Sequence, residues 1–137
     1  MSYFFQFVDP TAAIAQTPRA HPWLGGDDCY EMNGAELRMM VEVMREAGIL
    51  REQGMGPRWT LDEAGVPQEK FRSNSNGHVT PDECQRIASM LRAAIDSGSA
   101  GDTLSFFDDA PPQSRAWLES WTEFNARAAQ AGGYRVT

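Results

Sequence analysis

The fold is decided by the stretch Thr80-Pro81-Asp82-Glu83-Cys84-Gln85-Arg86-Ile87-Ala88-Ser89-Met90-Leu91-Arg92-Ala93-Ala94-Ile95-Asp96-Ser97-Gly98. Its first four residues have capping-box spacing, in which the Thr hydroxyl accepts a first-turn N–H and the Glu carboxylate reaches back to the cap. Proline suits the first helical position, because the N–H that it lacks would be unsatisfied there. The stretch therefore predicts an amphipathic helix that ends at Gly98. Its buried stripe is predicted to be Cys84, Ile87, Ala88, Leu91 and Ile95.

Two further helices are predicted on either side of this one. Asn33 is a suitable N-cap for a helix from Gly34 to Ala47, and Gly48 suits the left-handed position beyond its end. Its apolar stripe is Leu37, Met40, Val41 and Met44. A third helix is predicted between Asp108-Asp109-Ala110-Pro111-Pro112 and Gly132-Gly133, because carboxylates and prolines both favour a helix start. Its stripe is Trp117, Trp121, Phe124 and Ala128.

The remaining segments predict strands at the two ends of the chain and loops between the helices. Residues 2–8 have the aromatic and β-branched composition of a strand, and residues 134–136 predict a last short strand beside it. Prolines and glycines predict loops over residues 9–31 and a turn-rich segment over residues 51–79. Two shorter predictions are a polar loop over residues 97–102 and a short strand or buried loop over residues 104–107.

The expected architecture is therefore mainly α with a minor β part. Three principal amphipathic helices pack on one core, with a two- or three-strand element from the N- and C-terminal segments. With 137 residues, 42% of them hydrophobic, the chain fits a single domain over residues 1–137.

The charge of the chain limits the classes of partner. It has 12 Lys and Arg against 19 Asp and Glu, a net charge of −7. Such a chain repels phosphate backbones and anionic lipid, so we expect neither nucleic acid nor membrane as partner. It favours a basic protein. Cys29 and Cys84 are too few and too far apart for a secreted disulfide scaffold, so we expect reduced thiols in a cytoplasmic protein.

The segment 72–83 matches much of an EF-hand calcium loop when Gly77 is set as its sixth residue. Its oxygen ligands would then come from Asn74, Asn76, Thr80 and Glu83. Arg72, however, stands at the first position, where calcium requires an Asp. A glycine turn followed by a capped helix explains the same residues without an ion. We expect no metal, and keep a calcium-binding regulatory domain as an alternative.

The two histidines, His21 and His78, are the candidate bases for catalysis. A nucleophilic Ser or Cys needs such a base beside it, but neither histidine lies in a nucleophile-elbow or Cys-His signature. The spacing of the histidines and cysteines also fits no zinc pattern. We expect no catalytic residue and no cofactor, and keep a small enzyme using His21 or His78 as a second alternative.

A series of motifs typical of turns, helix caps and core packing lies along residues 30–137. They are Asn33, Gly56-Pro57-Arg58-Trp59, Asn76-Gly77-His78-Val79-Thr80-Pro81-Asp82-Glu83, Trp117 to Phe124 and Gly132 to Val136. This pattern resembles small uncharacterised bacterial proteins, some of which look like immunity proteins that block toxins delivered between competing cells. The resemblance implies a small acidic protein without chemistry of its own that covers the active site of a basic toxin or effector domain.

The favoured hypothesis is therefore a non-catalytic protein-binding module, an immunity protein for a cognate bacterial toxin. Its contacts are expected from a turn that is both acidic and aromatic, before the first helix, and from the carboxylates before the third helix. The expected partner-binding residues are Trp23, Asp27, Asp28, Tyr30, Asp108 and Asp109. Carboxylates and exposed aromatic anchors are the groups that would meet a basic partner.

Overall fold

Helices cover one face of a four-stranded antiparallel sheet in the computed structural model of the chain. The structure describes residues 2–9, 23–26, 28–51, 65–71, 77–107 and 110–137. His21, Asp27, Asp108, Asp109 and residues 72–76 lie outside the described residues, so the predictions that fall on them are not addressed by the structure.

The sheet joins the two ends of the chain. Its strands are β1 (Ser2–Phe7), β2 (Cys29–Asn33), β5 (His78–Val79) and β6 (Tyr134–Val136), in the order β2-β1-β6-β5. The predicted pairing of the terminal segments is confirmed, because Phe5 lies opposite Val136 and Phe7 opposite Tyr134. Side chains alternate across the sheet, so Phe5 is buried against the helices while Phe4 points to the other face and is exposed.

The predicted start of the first helix is confirmed. Helix α1 spans Gly34–Glu46, and the side chain of Asn33 accepts a hydrogen bond of 2.8 Å from the backbone N–H of Glu36. Gly48 follows in the left-handed region at φ +77°, which lets the chain turn and bury Ile49. The buried face is slightly rotated from the predicted stripe, since Val41 is only partly buried. Its buried members are Leu37, Met39, Met40, Val43 and Met44.

The central helix forms as predicted. Helix α2 spans Pro81–Ser97, both hydrogen bonds of the capping box are present, and Gly98 adopts φ +87° at its end. The whole predicted stripe is buried, together with Ala94. This helix packs against α4 (Ser114–Ala128), the third predicted helix.

The chain beyond Gly98 corrects two predictions. Residues 97–102 were expected as a polar loop and residues 104–107 as a short strand or buried loop, but helix α3 spans Ser99–Ser105. Ala100 and Leu104, four residues apart, are buried on one face of this helix, and their burial stabilises it. The prediction was wrong because Ser, Gly, Asp and Thr are weak helix formers, and tertiary burial outweighs their local preference.

The fold is therefore α+β rather than mainly α. The described residues hold four α-helices where three were expected, and a sheet of four strands where two or three were expected. The larger sheet arises because β2 forms at the end of the expected loop over residues 9–31, and β5 forms within the turn-rich segment. A parallel pair, β3 (Leu50–Arg51) and β4 (Val66–Pro67), precedes a 3₁₀ helix at Gln68–Phe71. Among the described helices, none combines the length and apolarity that crossing a membrane requires.

Aromatic rings from the sheet and from α4 form the centre of the core. The ring of Trp121 meets that of Phe5 at 5.0 Å and that of Tyr30 at 5.4 Å between centroids, both edge to face. Phe124 stacks on Phe7 at 4.8 Å. Trp121, Phe124 and Ala128 are fully buried as the predicted stripe requires, whereas Trp117 is only half-buried.

A buried polar pair fixes β6 on α4. The hydroxyl of Tyr134 donates to Oδ1 of Asn125 at 2.9 Å, and Nδ2 of Asn125 donates to the carbonyl oxygen of Trp121 at 2.9 Å. Both side chains are fully buried. Burial raises the pKa of the Tyr134 phenol well above its ordinary value of 10.0, so the group is neutral in the folded protein.

We expect Tyr134→Phe to lower the free energy of unfolding by about 1 to 3 kcal/mol at pH 7, because Oδ1 of Asn125 is left buried without a donor. The unfolded chain releases the phenol proton above about pH 10, whereas the folded protein retains it, so wild-type stability falls as the pH rises beyond that value. The stability difference between the two proteins, measured by urea unfolding, should therefore narrow above about pH 10. A difference that stays constant up to about pH 11 would contradict the buried, neutral phenol.

We expect Gly133→Ala to destabilise the fold by about 2 to 4 kcal/mol, because a Cβ at this left-handed residue (φ +79°) collides with the carbonyl oxygen of Val79. The matched control is Gly101→Ala in α3, where a Cβ meets no other atom within 4 Å. That change should raise stability by up to about 1 kcal/mol, since alanine favours a helix. If urea unfolding gave the same change in the free energy of unfolding for both substitutions, the close contact of Gly133 with the carbonyl oxygen of Val79 would be contradicted.

Candidate functional site

The aromatic residues predicted to bind a partner lie in the core. Trp23 is 7% exposed and Tyr30 is 5% exposed. The hydroxyl of Tyr30 donates to the carbonyl oxygen of Trp117 at 3.3 Å, and burial, with a smaller contribution from Glu36, raises the pKa of this phenol. In this arrangement neither ring is an exposed anchor. Their role is to pack on Phe124, which both contact.

Asp28 is the one predicted carboxylate for which the described residues give a position. It lies at the start of β2, partly exposed, and its backbone carbonyl accepts a hydrogen bond from the N–H of Phe7 at 2.9 Å. Leu24, in the turn before it, is 70% exposed. The turn therefore offers Asp28 and Leu24 to solvent, where the sequence predicted contacts from Asp27 and Asp28 together with Trp23 and Tyr30.

The described part of the EF-hand-like segment is built for helix capping. Oε1 of Glu83 accepts hydrogen bonds from the backbone N–H of Thr80 at 3.0 Å and from Nζ of Lys70 at 2.6 Å. The hydroxyl of Thr80 in turn accepts from the N–H of Glu83. The carboxylate that would bind calcium is thus engaged by an ammonium group. In the residues that the structure describes, no group of three or more His, Cys, Asp or Glu is placed to hold a metal ion.

His78 has a structural hydrogen bond. Its Nε2 lies 2.9 Å from the carbonyl oxygen of Gly132, to which it donates as an N–H. Cys84, the buried thiol of α2, lies 3.7 Å from the carbonyl oxygen of Val79, and burial raises its pKa. A thiol with a raised pKa is mostly un-ionised at neutral pH and therefore a poor nucleophile.

A cleft between α1 and α3 combines charged side chains with an exposed aromatic ring. It has a volume of about 600 Å³ and is lined by Arg38, Glu42, Glu46, Thr103, Phe106 and Phe107. We call this surface the α1/α3 cleft. The three charged residues are spaced four apart on α1, so they form one row along the face of the helix. The two phenylalanines come from the C-terminal end of α3.

Phe106 gives this cleft an exposed aromatic rim. Its side chain is 83% exposed, more than any other large hydrophobic residue that the structure describes. Phe107, the next residue, is partly buried and packs against the core. Consecutive residues at a helix end point about 100° apart, so the two rings cannot bury themselves together against the same surface. One ring supports α3, and the other is left in solvent.

Two carboxylates and one guanidinium line the α1/α3 cleft. Glu42 and Glu46 lie in the last two turns of α1, close to the end where the helix dipole is negative. The ion pair of Glu42 with Arg45 is 3.8 Å long and partly exposed, so it holds the Glu42 carboxylate only weakly. The guanidinium of Arg38 already lies 5.8 Å from the centre of the Phe107 ring. The cleft thus holds one cation of the chain on an aromatic face.

The sequence analysis missed this cleft. The predicted apolar stripe of α1 does not include Glu42 or Arg38, but residues 104–107 were expected as a short strand or buried loop. A signal was nevertheless present in the two adjacent phenylalanines, flanked by Asp102, Asp108 and Asp109. Adjacent apolar residues in a polar segment leave one side chain without a core position. The predicted site residues Asp108 and Asp109 follow Phe107 directly along the chain.

We expect calcium to leave the thermal stability of the protein unchanged, because the Glu83 carboxylate is held by Lys70 and by the helix cap. The measurement is the melting temperature with excess CaCl₂ against EDTA, with Glu83→Gln as control, since Gln retains the capping geometry. Specific binding at a hundredfold excess over Kd would add about 2.7 kcal/mol. A rise in melting temperature that Glu83→Gln removes would contradict the capping assignment.

Comparison with family models, with curated proteins and with solved structures finds no match to this chain, so the candidate site rests on the residues and geometry described above.

Proposed function

We propose that this protein is a non-catalytic protein-binding module, an immunity protein that neutralises a cognate bacterial toxin by covering its active site. The observation that carries the proposal is the 83% exposed ring of Phe106 on the rim of the α1/α3 cleft. Aromatic side chains are enriched in protein interfaces, where their large apolar surface is buried in a pocket of the partner. Burying such a ring is worth about 2 to 3 kcal/mol.

The charge of the protein supports a basic partner. The net charge is −7, and two carboxylates line the same cleft as the exposed ring. Complementary charge speeds association and discriminates against wrong partners, which suits an inhibitor that must reach its toxin quickly. The resemblance of residues 30–137 to small uncharacterised bacterial proteins, some of which look like immunity proteins, is in keeping with the proposal.

The state of the cysteines and histidine supports a protein without chemistry of its own. Cys84 is a buried free thiol, Cys29 is a partly buried free thiol, and the ring of His78 is hydrogen-bonded to a backbone carbonyl. Free thiols in these positions fit the reducing cytoplasm, where we propose that the protein acts. None of these groups faces the α1/α3 cleft.

The test compares two exposed apolar residues on different surfaces. We expect Phe106→Ala to weaken binding of the toxin by about 30-fold or more, since a central aromatic anchor is worth about 2 kcal/mol. Leu24→Ala is the matched control, because Leu24 is 70% exposed on the turn that the sequence analysis favoured. Both variants should retain the wild-type melting temperature, because neither side chain is in the core.

The measurement is affinity capture from lysate of the native host at moderate salt, repeated with the product of the adjacent gene co-expressed. Stoichiometric capture of one basic, toxin-like protein by wild type and Leu24→Ala, but not by Phe106→Ala, would support the proposal. Capture lost only in Leu24→Ala would move the interface to the turn before β2. Failure of the wild-type protein to capture any partner under both conditions would overturn the immunity function.

A further inference from the structure

We infer that a cavity between α2, α3 and the first turn of α4 binds a small organic monocarboxylate with an apolar tail. The cavity has a volume of about 280 Å³, which suits a ligand smaller than a drug molecule. It shares no lining residue with the α1/α3 cleft. The inference therefore concerns a second site and does not depend on the proposed function.

The start of α4 offers hydrogen-bond donors that lack acceptors. Its N-cap, Gln113, makes no side-chain capping hydrogen bond. The backbone N–H of Ser114 donates to the carbonyl oxygen of Pro111 at 3.0 Å. For the next two backbone N–H groups, those of Arg115 and Ala116, the described residues supply no acceptor. Free N–H groups and the positive end of the helix dipole together favour an anion at this end of α4.

A buried hydroxyl is the second, independent observation. Ser114 is only 8% exposed and lines the cavity. Its hydroxyl has no hydrogen-bond partner within the described part of the chain. Leaving a buried hydroxyl without a partner is unfavourable, so such groups in folded proteins are as a rule hydrogen-bonded. A carboxylate oxygen in the cavity would accept the hydrogen bond that Ser114 can donate.

The residue after Ser114 supplies the positive charge. Arg115 also lines the cavity and is exposed. No ion pair joins its guanidinium to a carboxylate among the described residues. A guanidinium matches the two oxygens of a carboxylate with two parallel N–H donors. Arg115 and Ser114 would therefore hold the charged end of the ligand from the mouth and from the inside of the cavity.

The other walls of the cavity are apolar. Ile95 comes from α2, Leu104 from α3, and Leu118 lies one turn after Ser114 on α4. All three side chains are buried in the protein fold. Apolar walls favour a hydrocarbon group that leaves water when it binds. A carboxylate at the start of α4 with a short branched tail against these walls fits both parts of the cavity.

Two groups in the cavity oppose an anion of higher charge. Asp102 lines the cavity from α3, and its exposed carboxylate repels a negative ligand. Gly98 lies at the C-terminal end of α2, where helix carbonyl groups carry partial negative charge. One of those carbonyls, that of Ile95, already accepts a hydrogen bond of 3.1 Å from the N–H of Gly98. Since the repulsion grows with the charge of the ligand, a monocarboxylate is favoured over a phosphate dianion.

The test uses isovalerate as its probe. The sodium salt is titrated to about 20 mM into the ¹⁵N-labelled protein at neutral pH and constant ionic strength, because so small a ligand supports only millimolar affinity. Isovaleramide keeps the shape and removes the charge, whereas inorganic phosphate keeps a negative charge and removes the tail. We expect isovalerate to shift the amide signals of Gly101, Arg115 and Ala116 to saturation. It should bind about fivefold more tightly than either matched probe.

Variants of the protein separate the contributions of the residues. Arg115→Gln and Ser114→Ala should each weaken binding of isovalerate about threefold or more, because each removes one hydrogen-bonding group. Asp102→Asn should strengthen it about twofold, since a repelling charge is lost. The matched control is Arg135→Gln, which removes an exposed guanidinium from β6 and should leave the binding unchanged. Melting temperatures verify that each variant is folded.

Three results would overturn the inference. The first is the absence of saturable shifts at this cavity with isovalerate. The second is binding of isovaleramide or phosphate as tight as that of isovalerate, which would contradict recognition of a carboxylate with an apolar tail. The third is binding that stays unchanged in both Arg115→Gln and Ser114→Ala, which would place the ligand elsewhere.

Discussion

The fold depends on the burial of one indole ring at the junction of sheet and helix. Trp121 projects from the middle of α4 and contacts rings from three strands and the 3₁₀ helix. Those rings belong to Phe5, Tyr30, Tyr134 and Phe71, with centroid distances from 5.0 to 6.3 Å. Each of these aromatic contacts adds roughly 0.5 to 1.5 kcal/mol beyond area burial. Segments that are far apart in sequence therefore meet at Trp121.

The position of the α1/α3 cleft follows from this centre. Helices α2 and α4 and the sheet are tied to the aromatic core, whereas α3 is a short helix that begins directly after the left-handed Gly98 and is fixed by Ala100 and Leu104. Two small anchors hold a helix of seven residues but bury little of its surface. Its C-terminal end is therefore left at the surface beside α1. Packing on the core fixes the positions of α1 and α3, which form the cleft. The charged and exposed side chains of the cleft lie outside the core.

The elements that the sequence predicted correctly are those in which the local preference of the residues and their burial in the core favour the same structure. The capping box at Thr80, the cap at Asn33 and the terminal strand pair were each indicated by residue types with a definite physical role. It failed at α3, whose residues are poor helix formers and are helical only because Ala100 and Leu104 find a core. It also failed at β2, where Tyr30 and Met32 alternate inward over only five residues. For the site, the net charge of −7 predicts a basic partner, whereas the exposure of Phe106 follows from the packing of α3 and could not be read from the sequence.

The separation of core and cleft explains how one small chain can be stable and still present an aromatic anchor. Phe107 packs against the core, and the guanidinium of Arg38 lies over its ring. These contacts hold the end of α3 in place without the ring of Phe106. In the isolated protein that ring contributes little to stability, because most of its surface stays in water. Its apolar surface becomes favourable only when a second molecule covers it. A phenylalanine side chain has only two rotatable bonds, so covering its ring costs little side-chain entropy for the apolar area that is buried.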